Sequence, residues 1–159
     1  MRRKHPPVQK LRNGTFRLNL DEDEKALLRR LADELRALND LDSQADTRLR
    51  RLFPTAYHED PEHDAEYQRL MTDELRASRN HGIDVLIDGL AAPALTEEDL
   101  LAMMRTLNSL RLILCTQLDV GEEDQLENLA TDDPLVPYHH LYAYLGWLLE
   151  HTIDALSSK

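Results

Sequence analysis

The chain has 159 residues, of which 42% are hydrophobic and 31% charged, so its composition favours one globular domain over a disordered segment. No apolar run approaches the ~20 residues that span a bilayer, and two prolines stand where a signal peptide would be apolar. The single cysteine excludes an intramolecular disulfide and most cysteine-based metal sites. We therefore expect a cytoplasmic protein that does not enter a membrane.

Charge is distributed unevenly along the sequence. The basic residues of the first 17 positions are Arg2, Arg3, Lys4, Lys10, Arg12 and Arg17, with no acidic residue among them. The other 13 basic residues are outnumbered by 30 acidic ones, so the remainder carries −17 and the whole chain −11. Because an acidic body repels phosphates, DNA contact is expected only through the basic arm, at Arg2, Arg3 and Lys4. The alternatives for the arm are an acidic protein partner, or no partner at all.

Residues 8–20 predict a small β-hairpin. Asn13-Gly14 is a preferred pair for a two-residue type I′ turn, since both central positions need positive φ. The face that this turn creates contains Leu11 opposite Phe16, with Leu18, Leu20 and Gln9. Isolated hairpins are marginal in water, so we expect a helical layer beneath this one.

Apolar residues spaced three and four apart predict the helices. Their approximate ranges are 21–39, 46–53, 61–90, 97–119 and 137–156. Asp60-Pro61 is a suitable N-cap and first position, and Thr96 with Asp99 resembles a capping box. Gly82 is a candidate soft spot. The predicted fold class is mainly all-α, a bundle of four to five helices with an N-terminal hairpin. The predicted organisation is one domain, 1–159, with a basic arm at 1–7, the hairpin at 8–20 and the bundle at 21–159.

The helix over 97–119 is apolar on two adjacent stripes. The predicted core stripe contains Leu100, Met103, Leu107, Leu110, Leu114 and Leu118. The second stripe contains Leu101, Met104, Asn108, Leu112 and Cys115, with Arg111 between the two. A helix that is apolar over more than half its circumference is central in a bundle or shared with a second subunit. We therefore expect a homodimer through the helix at 97–119 or the one at 137–156.

Three polar groups interrupt this helix: Asn108, Arg111 and Cys115. We expect all three to be at least partly buried. Asn108 and Arg111 then form either a buried polar network that fixes helix register or a pocket for a small ligand. The candidate carboxylate partners of Arg111 are Asp73, Glu74 and Asp84. Cys115 is a redox candidate if Arg111 lowers the pKa of its thiol, and an inert core residue if burial dominates.

Motifs of enzyme chemistry are missing from the sequence. It has no Gly-x-Ser-x-Gly elbow, no glycine-rich phosphate loop and no His-Glu-x-x-His. None of its seven histidines follows a glutamate by three positions, and Asp60-x-x-His63 is the nearest approach to a helical metal motif. We therefore expect no enzyme, no catalytic residue, no metal and no cofactor.

Three segments, 51–76, 107–120 and 142–156, together look like one family. The residues that carry the likeness include Arg51, Phe53, Pro54, Tyr57, Asn108, Arg111 and Trp147. The chain resembles the actinobacterial AosR-like oxidative-stress regulators, a family long described as of unknown function and often encoded beside the adaptor ClpS. The resemblance implies a cytoplasmic regulator that senses redox stress and acts through protein contacts, with a sigma factor or RNA polymerase as partner.

The chain departs from that family at Cys115, where the family typically has glycine. One cysteine cannot form an intrachain redox pair, so either Cys115 senses through intermolecular or sulfenic chemistry or this member does not sense by thiol. The leading hypothesis is a non-enzymatic regulatory or interaction protein. The alternative is a helical bundle that binds a small ligand or metal in a pocket near Asn108 and Arg111.

Overall fold

The computed structural model describes residues 5–40, 59–118 and 132–158. In these ranges the chain forms a two-stranded antiparallel hairpin and four helices, so the predicted fold class is confirmed. The elements are β1 (Val8–Lys10), β2 (Phe16–Leu18), α1 (Glu22–Asn39), α2 (Pro61–Ala91), α3 (Glu97–Leu118) and α4 (Val136–Ser157). The short helix predicted over 46–53 lies outside the described residues.

The hairpin forms where it was predicted, but the register is wrong by one residue. The pairs are Val8 with Leu18, Gln9 with Arg17 and Lys10 with Phe16. The Leu11 N–H donates to the Thr15 carbonyl at 2.7 Å, so the loop has three residues instead of two. Its last residue, Gly14, has a positive φ of 81°. Because a one-residue shift exchanges the faces of a strand, Lys10 and Val8 replace Leu11 and Gln9 on the face that carries Phe16.

The hairpin is tied to the helices by its backbone. The Phe16 N–H donates to the Leu95 carbonyl at 2.9 Å, and the Leu95 N–H donates to the Phe16 carbonyl at 2.7 Å. The Phe16 side chain is completely buried. Lys10 donates from Nζ to the Ser158 carbonyl at 2.5 Å, at the end of α4. The helical layer expected under the hairpin is present, because Val8 and Leu18 border a small core cavity together with residues of α1, α3 and α4.

Three of the predicted helix starts, those of α1, α2 and α3, are confirmed by their caps. Asp21 and Glu24 form a capping box at α1, and Asp60 accepts from the His63 N–H at 3.1 Å before Pro61 opens α2. Thr96 and Asp99 cap α3 reciprocally: Thr96 Oγ1 accepts from the Asp99 N–H at 3.1 Å, and the Asp99 carboxylate from the Thr96 N–H at 3.1 Å.

Gly82 does not soften α2, which runs unbroken from Pro61 to Ala91. Gly82 is buried where α2 packs against α3, and an added Cβ would lie 2.7 Å from Thr106 Oγ1. The residue is therefore glycine because of packing. None of the helices in the described ranges is long and apolar enough to cross a bilayer.

Each helix packs against the next in the chain, and successive helices run antiparallel. Arg36 of α1 pairs with Asp84 of α2 at 2.5 Å. One turn further along α1, the buried Asn39 donates from Nδ2 to Asn80 Oδ1 at 2.9 Å. The core is made of leucines from all four helices, together with Phe16, Ile83 and Ile113. It leaves one side of α3 and α4 outside.

Candidate functional site

The two apolar stripes of α3 lie in different environments. The inner stripe is buried, and consists of Leu100, Met103, Leu107, Leu110 and Leu114. The outer stripe follows it one residue later, at Leu101, Met104, Asn108, Arg111 and Cys115. In the outer stripe Asn108 is exposed and the other four residues are half-buried. Both sets have the alternating spacing of three and four residues that makes a helix–helix seam.

A matching outer stripe runs along α4, at Tyr142, Gly146, Leu149, Ile153 and Leu156. Leu149 is nearly buried, whereas Ile153 is 51% exposed. The two outer stripes border an open groove of about 490 Å³ between the helices. We call it the α3/α4 groove. Its lining is Met104, Arg105, Asn108, Arg111, Gly146, Leu149, Glu150, Ile153 and Asp154.

The groove is bounded by antiparallel helices whose levels can be matched. Arg111 of α3 lies over the Tyr142 ring of α4, and the inner-stripe Met103 shares a small core cavity with Thr152. In this antiparallel pair, the residue of α4 that lies beside a given residue of α3 therefore has a number of roughly 255 minus the number of that residue. Arg105 is level with Glu150, and Asp154 lies one turn further along α4.

Charge is segregated between the two helices. After its first turn α3 carries only Arg105 and Arg111, while α4, histidines aside, carries only Glu150 and Asp154. All four line the α3/α4 groove, and none forms an ion pair with any residue in the described ranges. The groove is thus locally neutral in a chain of net charge −11, with one basic wall and one acidic wall.

Arg111 is held by an aromatic ring. Its guanidinium carbon lies 4.5 Å from the centroid of the Tyr142 ring, a cation–π contact. Its Nε is buried and has no hydrogen-bond partner among the described residues. None of the expected carboxylates reaches it: Asp84 pairs with Arg36, and Asp73 and Glu74 are exposed on α2. The aromatic contact was missed because the sequence does not specify which helix faces α3.

The structure brings Asn108 and Arg111 together in one groove, as the pocket hypothesis requires. The burial expected of Asn108 is wrong, because its side chain lies on the outward edge of α3. Arg111 and the redox candidate Cys115 are half-buried, as expected.

Trp147 lies on another side of α4, in a half-buried aromatic row. Its ring centroid is 5.8 Å from that of Tyr144 and 4.9 Å from that of His151. The other family-motif residues, Arg51, Phe53, Pro54 and Tyr57, lie outside the described residues. So do the candidate phosphate contacts Arg2, Arg3 and Lys4.

The Asp60-x-x-His63 sequence is a helix cap. Asp60 Oδ2 lies 2.6 Å from His63 Nδ1, and the His63 backbone N–H is the main cause that holds the pKa of the Asp60 carboxyl below its ordinary value. Across the described ranges, no group of three or more His, Cys, Asp or Glu side chains is placed to hold a metal ion.

The comparison with known families covers almost the whole chain. The model of DUF2017, described as a domain of unknown function, matches residues 4–156. The chain belongs to the DUF2017 family. No curated protein and no solved structure matches it. Because the description of the family names no function, the function of the chain has to be inferred from the physical character of the α3/α4 groove.

The acidic wall of the groove was not predicted from the sequence. Glu150 and Asp154 are spaced four apart and therefore share one side of α4, next to Ile153. Arg105 is exposed on α3 and belongs to neither of the two predicted apolar stripes. The available signal was the sign of charge on each helix, which becomes informative once α3 and α4 are known to be neighbours.

Proposed function

We propose that the chain is a non-enzymatic cytoplasmic regulator that acts through protein contacts, and that its partner belongs to the transcription machinery. The observation that carries the proposal is the α3/α4 groove, where two half-exposed stripes meet walls of opposite charge. A surface of mixed apolar and charged residues is typical of reversible protein interfaces. The arrangement offers recognition without an obvious reacting group.

The identity of the partner rests on the resemblance to AosR-like regulators, and the charge of the chain is compatible with it. A net charge of −11 repels a phosphate backbone at long range, which favours a protein target over general nucleic-acid binding. A sigma factor or an RNA polymerase subunit satisfies both constraints. An oxidative-stress role rests on the resemblance alone.

Affinity purification of the tagged full-length chain from its native host tests the proposal. We expect a sigma factor or polymerase subunit in near-stoichiometric amount, and we expect the two purified proteins to bind again. Ile153→Arg, in the groove, should weaken recovery. The matched control is Leu70→Arg, at a residue 66% exposed on α2. Recovery of the chain with no transcription protein would contradict the proposal.

A second candidate is a small-ligand site in the same groove. It is favoured by the buried Arg111 Nε, which has no hydrogen-bond partner in the described part of the chain, and by a volume of about 490 Å³, within the range of ligand pockets. The two walls of opposite charge fit a zwitterion better than a simple anion. Native mass spectrometry of gently purified protein, with and without an added amino-acid mixture, tests this candidate. A spectrum showing only the bare chain in both cases would exclude it.

A further inference from the structure

We infer that the α3/α4 groove is covered by the same groove of a second copy of the chain, in a two-fold dimer that sets Arg105 of each copy against Glu150 of the other. This inference rests on the proposed function, since it takes the groove to be a protein interface. It adds a second occupant of the groove, which a transcription partner would have to displace, together with the symmetry axis and the pairing.

The charge pattern selects a second copy as the occupant. Arg105 and Arg111 form the basic wall on α3, and Glu150 and Asp154 form the acidic wall on α4. A partner must therefore present an acidic strip beside a basic one, at the spacing of two packed helices. The chain itself carries that surface, because each wall complements the other.

Only one of two possible axes uses this complementarity. A two-fold axis parallel to the helices places α3 of one copy over α4 of the other at the same level, so Arg105 meets Glu150 with Asp154 one turn away. An axis across the helices places α3 over α3, so Arg105 lies near Arg111 and like charges meet. Like charges across an interface are unfavourable. The parallel axis is therefore selected.

The apolar residues support the same arrangement. Met104, Leu149 and Ile153 line the groove, and Ile153 is 51% exposed. Gly146 leaves room on α4 close to the level of Arg111, where an added Cβ would lie 3.5 Å from Arg111 Nε. Covering these residues converts the outer stripes of α3 and α4 into seams of a four-helix interface.

The size of the face predicts a reversible dimer. Each helix has 22 residues, and at 1.5 Å per residue the face is about 33 Å long. Two helices packed 8–10 Å apart give roughly 20 Å of width, hence on the order of 650 Å² per copy. A standard interface buries about 800 Å² per partner. We therefore expect a monomer–dimer equilibrium at micromolar concentration.

Charge reversal with complementation tests the pairing. Sedimentation velocity of the full chain should give a dimer for the unaltered protein, and monomers for Arg105→Glu alone and for Glu150→Arg alone. The two single variants should form a dimer when mixed in equal amounts, because both Arg105–Glu150 contacts are then complementary. The double variant Arg105→Glu/Glu150→Arg should also dimerise.

Net charge is controlled in two ways. Arg69→Glu, at an exposed residue of α2, changes the charge as much as Arg105→Glu and should leave the dimer intact. Glu150→Arg makes the chain less acidic, so general repulsion falls while the specific contact is lost. Circular dichroism melting of each variant tests whether the monomer is folded. Formation of the mixed dimer shows independently that both variants are folded.

Each outcome decides the inference. A monomer up to several hundred micromolar overturns it, as does a dimer that survives both single reversals. Monomeric variants that fail to recombine also overturn it, because the axis is then different. If the chain is monomeric yet retains a sigma factor, this inference fails and the proposed function stands. If the complementation succeeds but no transcription protein is recovered, the inference stands and the proposed regulatory function fails.

Discussion

The inner and outer stripes of α3 differ by a shift of one residue and by little else in geometry. The inner stripe contains only leucine and methionine and is sealed by the other helices, whereas the outer stripe includes Asn108, Arg111 and Cys115 and stays half-exposed. The comparison teaches that a helix can carry two seams with the same spacing. The two seams differ in composition. The purely apolar stripe suits permanent burial, whereas the stripe with polar residues suits a surface that is exposed to solvent part of the time.

The largest expected effect comes from truncating the inner stripe. Leu107→Ala should lower the free energy of unfolding by about 2–5 kcal/mol, since Leu107 is 2% exposed and its removal leaves a cavity. Met104→Ala on the outer stripe should cost about 1 kcal/mol or less. Urea denaturation in the Arg105→Glu background keeps association from contributing. Equal losses at the two positions would abolish the distinction between the stripes.

The next effect compares the side of α3 that is buried against α2 with the side that faces the groove. Gly82→Ala should destabilise the fold by about 1–3 kcal/mol, because its Cβ would overlap Thr106 Oγ1 at 2.7 Å. Gly146→Ala in the groove has its nearest contact at 3.5 Å and should be neutral or stabilising by up to ~1 kcal/mol. Urea denaturation measures both changes. Adding Thr106→Ala should recover much of the Gly82→Ala loss, and an unchanged loss would mean that another contact is responsible.

A smaller effect is expected inside the outer stripe. A double-mutant cycle with Arg111→Met and Tyr142→Leu should give a coupling energy of about 0.5–1 kcal/mol, as expected for a partly exposed cation–π contact. Urea denaturation of the four proteins measures it. Tyr142→Phe should retain most of the coupling, since the ring is kept. A coupling near zero would show that Arg111 is held by its aliphatic stem alone.

The smallest effect is a change of rate at Cys115. The thiol is half-buried on the outer stripe, so a maleimide should label it in the native protein more slowly than in denaturant. If the groove is covered by a second copy, the rate should fall as protein concentration rises. The Arg105→Glu variant should label at one rate throughout. A rate independent of concentration in both proteins would place Cys115 outside the interface.

Much of the helical fold could be predicted because its signals are local. Spacing of three and four residues placed all four described helices, and Asp60-Pro61 and the Thr96–Asp99 box marked two of their starts. Hairpin register could not be predicted in the same way. Asn13-Gly14 suits a two-residue turn, but the loop has three residues with Gly14 at positive φ, and Phe16 is hydrogen-bonded to Leu95, far along the chain.

The site was predictable only in part. A helical wheel gives directions around α3 but not its neighbours, so Arg111 was assigned to carboxylates on α2 while its contact is Tyr142 on α4. The same limit hid the acidic wall, since Glu150 and Asp154 become part of a groove only when α4 packs beside α3. Pairwise properties of a surface require the arrangement of helices, which the pattern of one helix does not contain.

The mutual hydrogen bonds of Phe16 and Leu95 have a consequence for the order of folding. Neighbouring helices meet through contacts close in sequence. The Phe16–Leu95 pair instead closes a long loop, and its formation costs the conformational entropy of that loop. The hairpin should therefore dock late, on a bundle that is already assembled. Since each amide donates to the other residue's carbonyl, the Phe16 and Leu95 amides should exchange with deuterium together, whichever segment opens first.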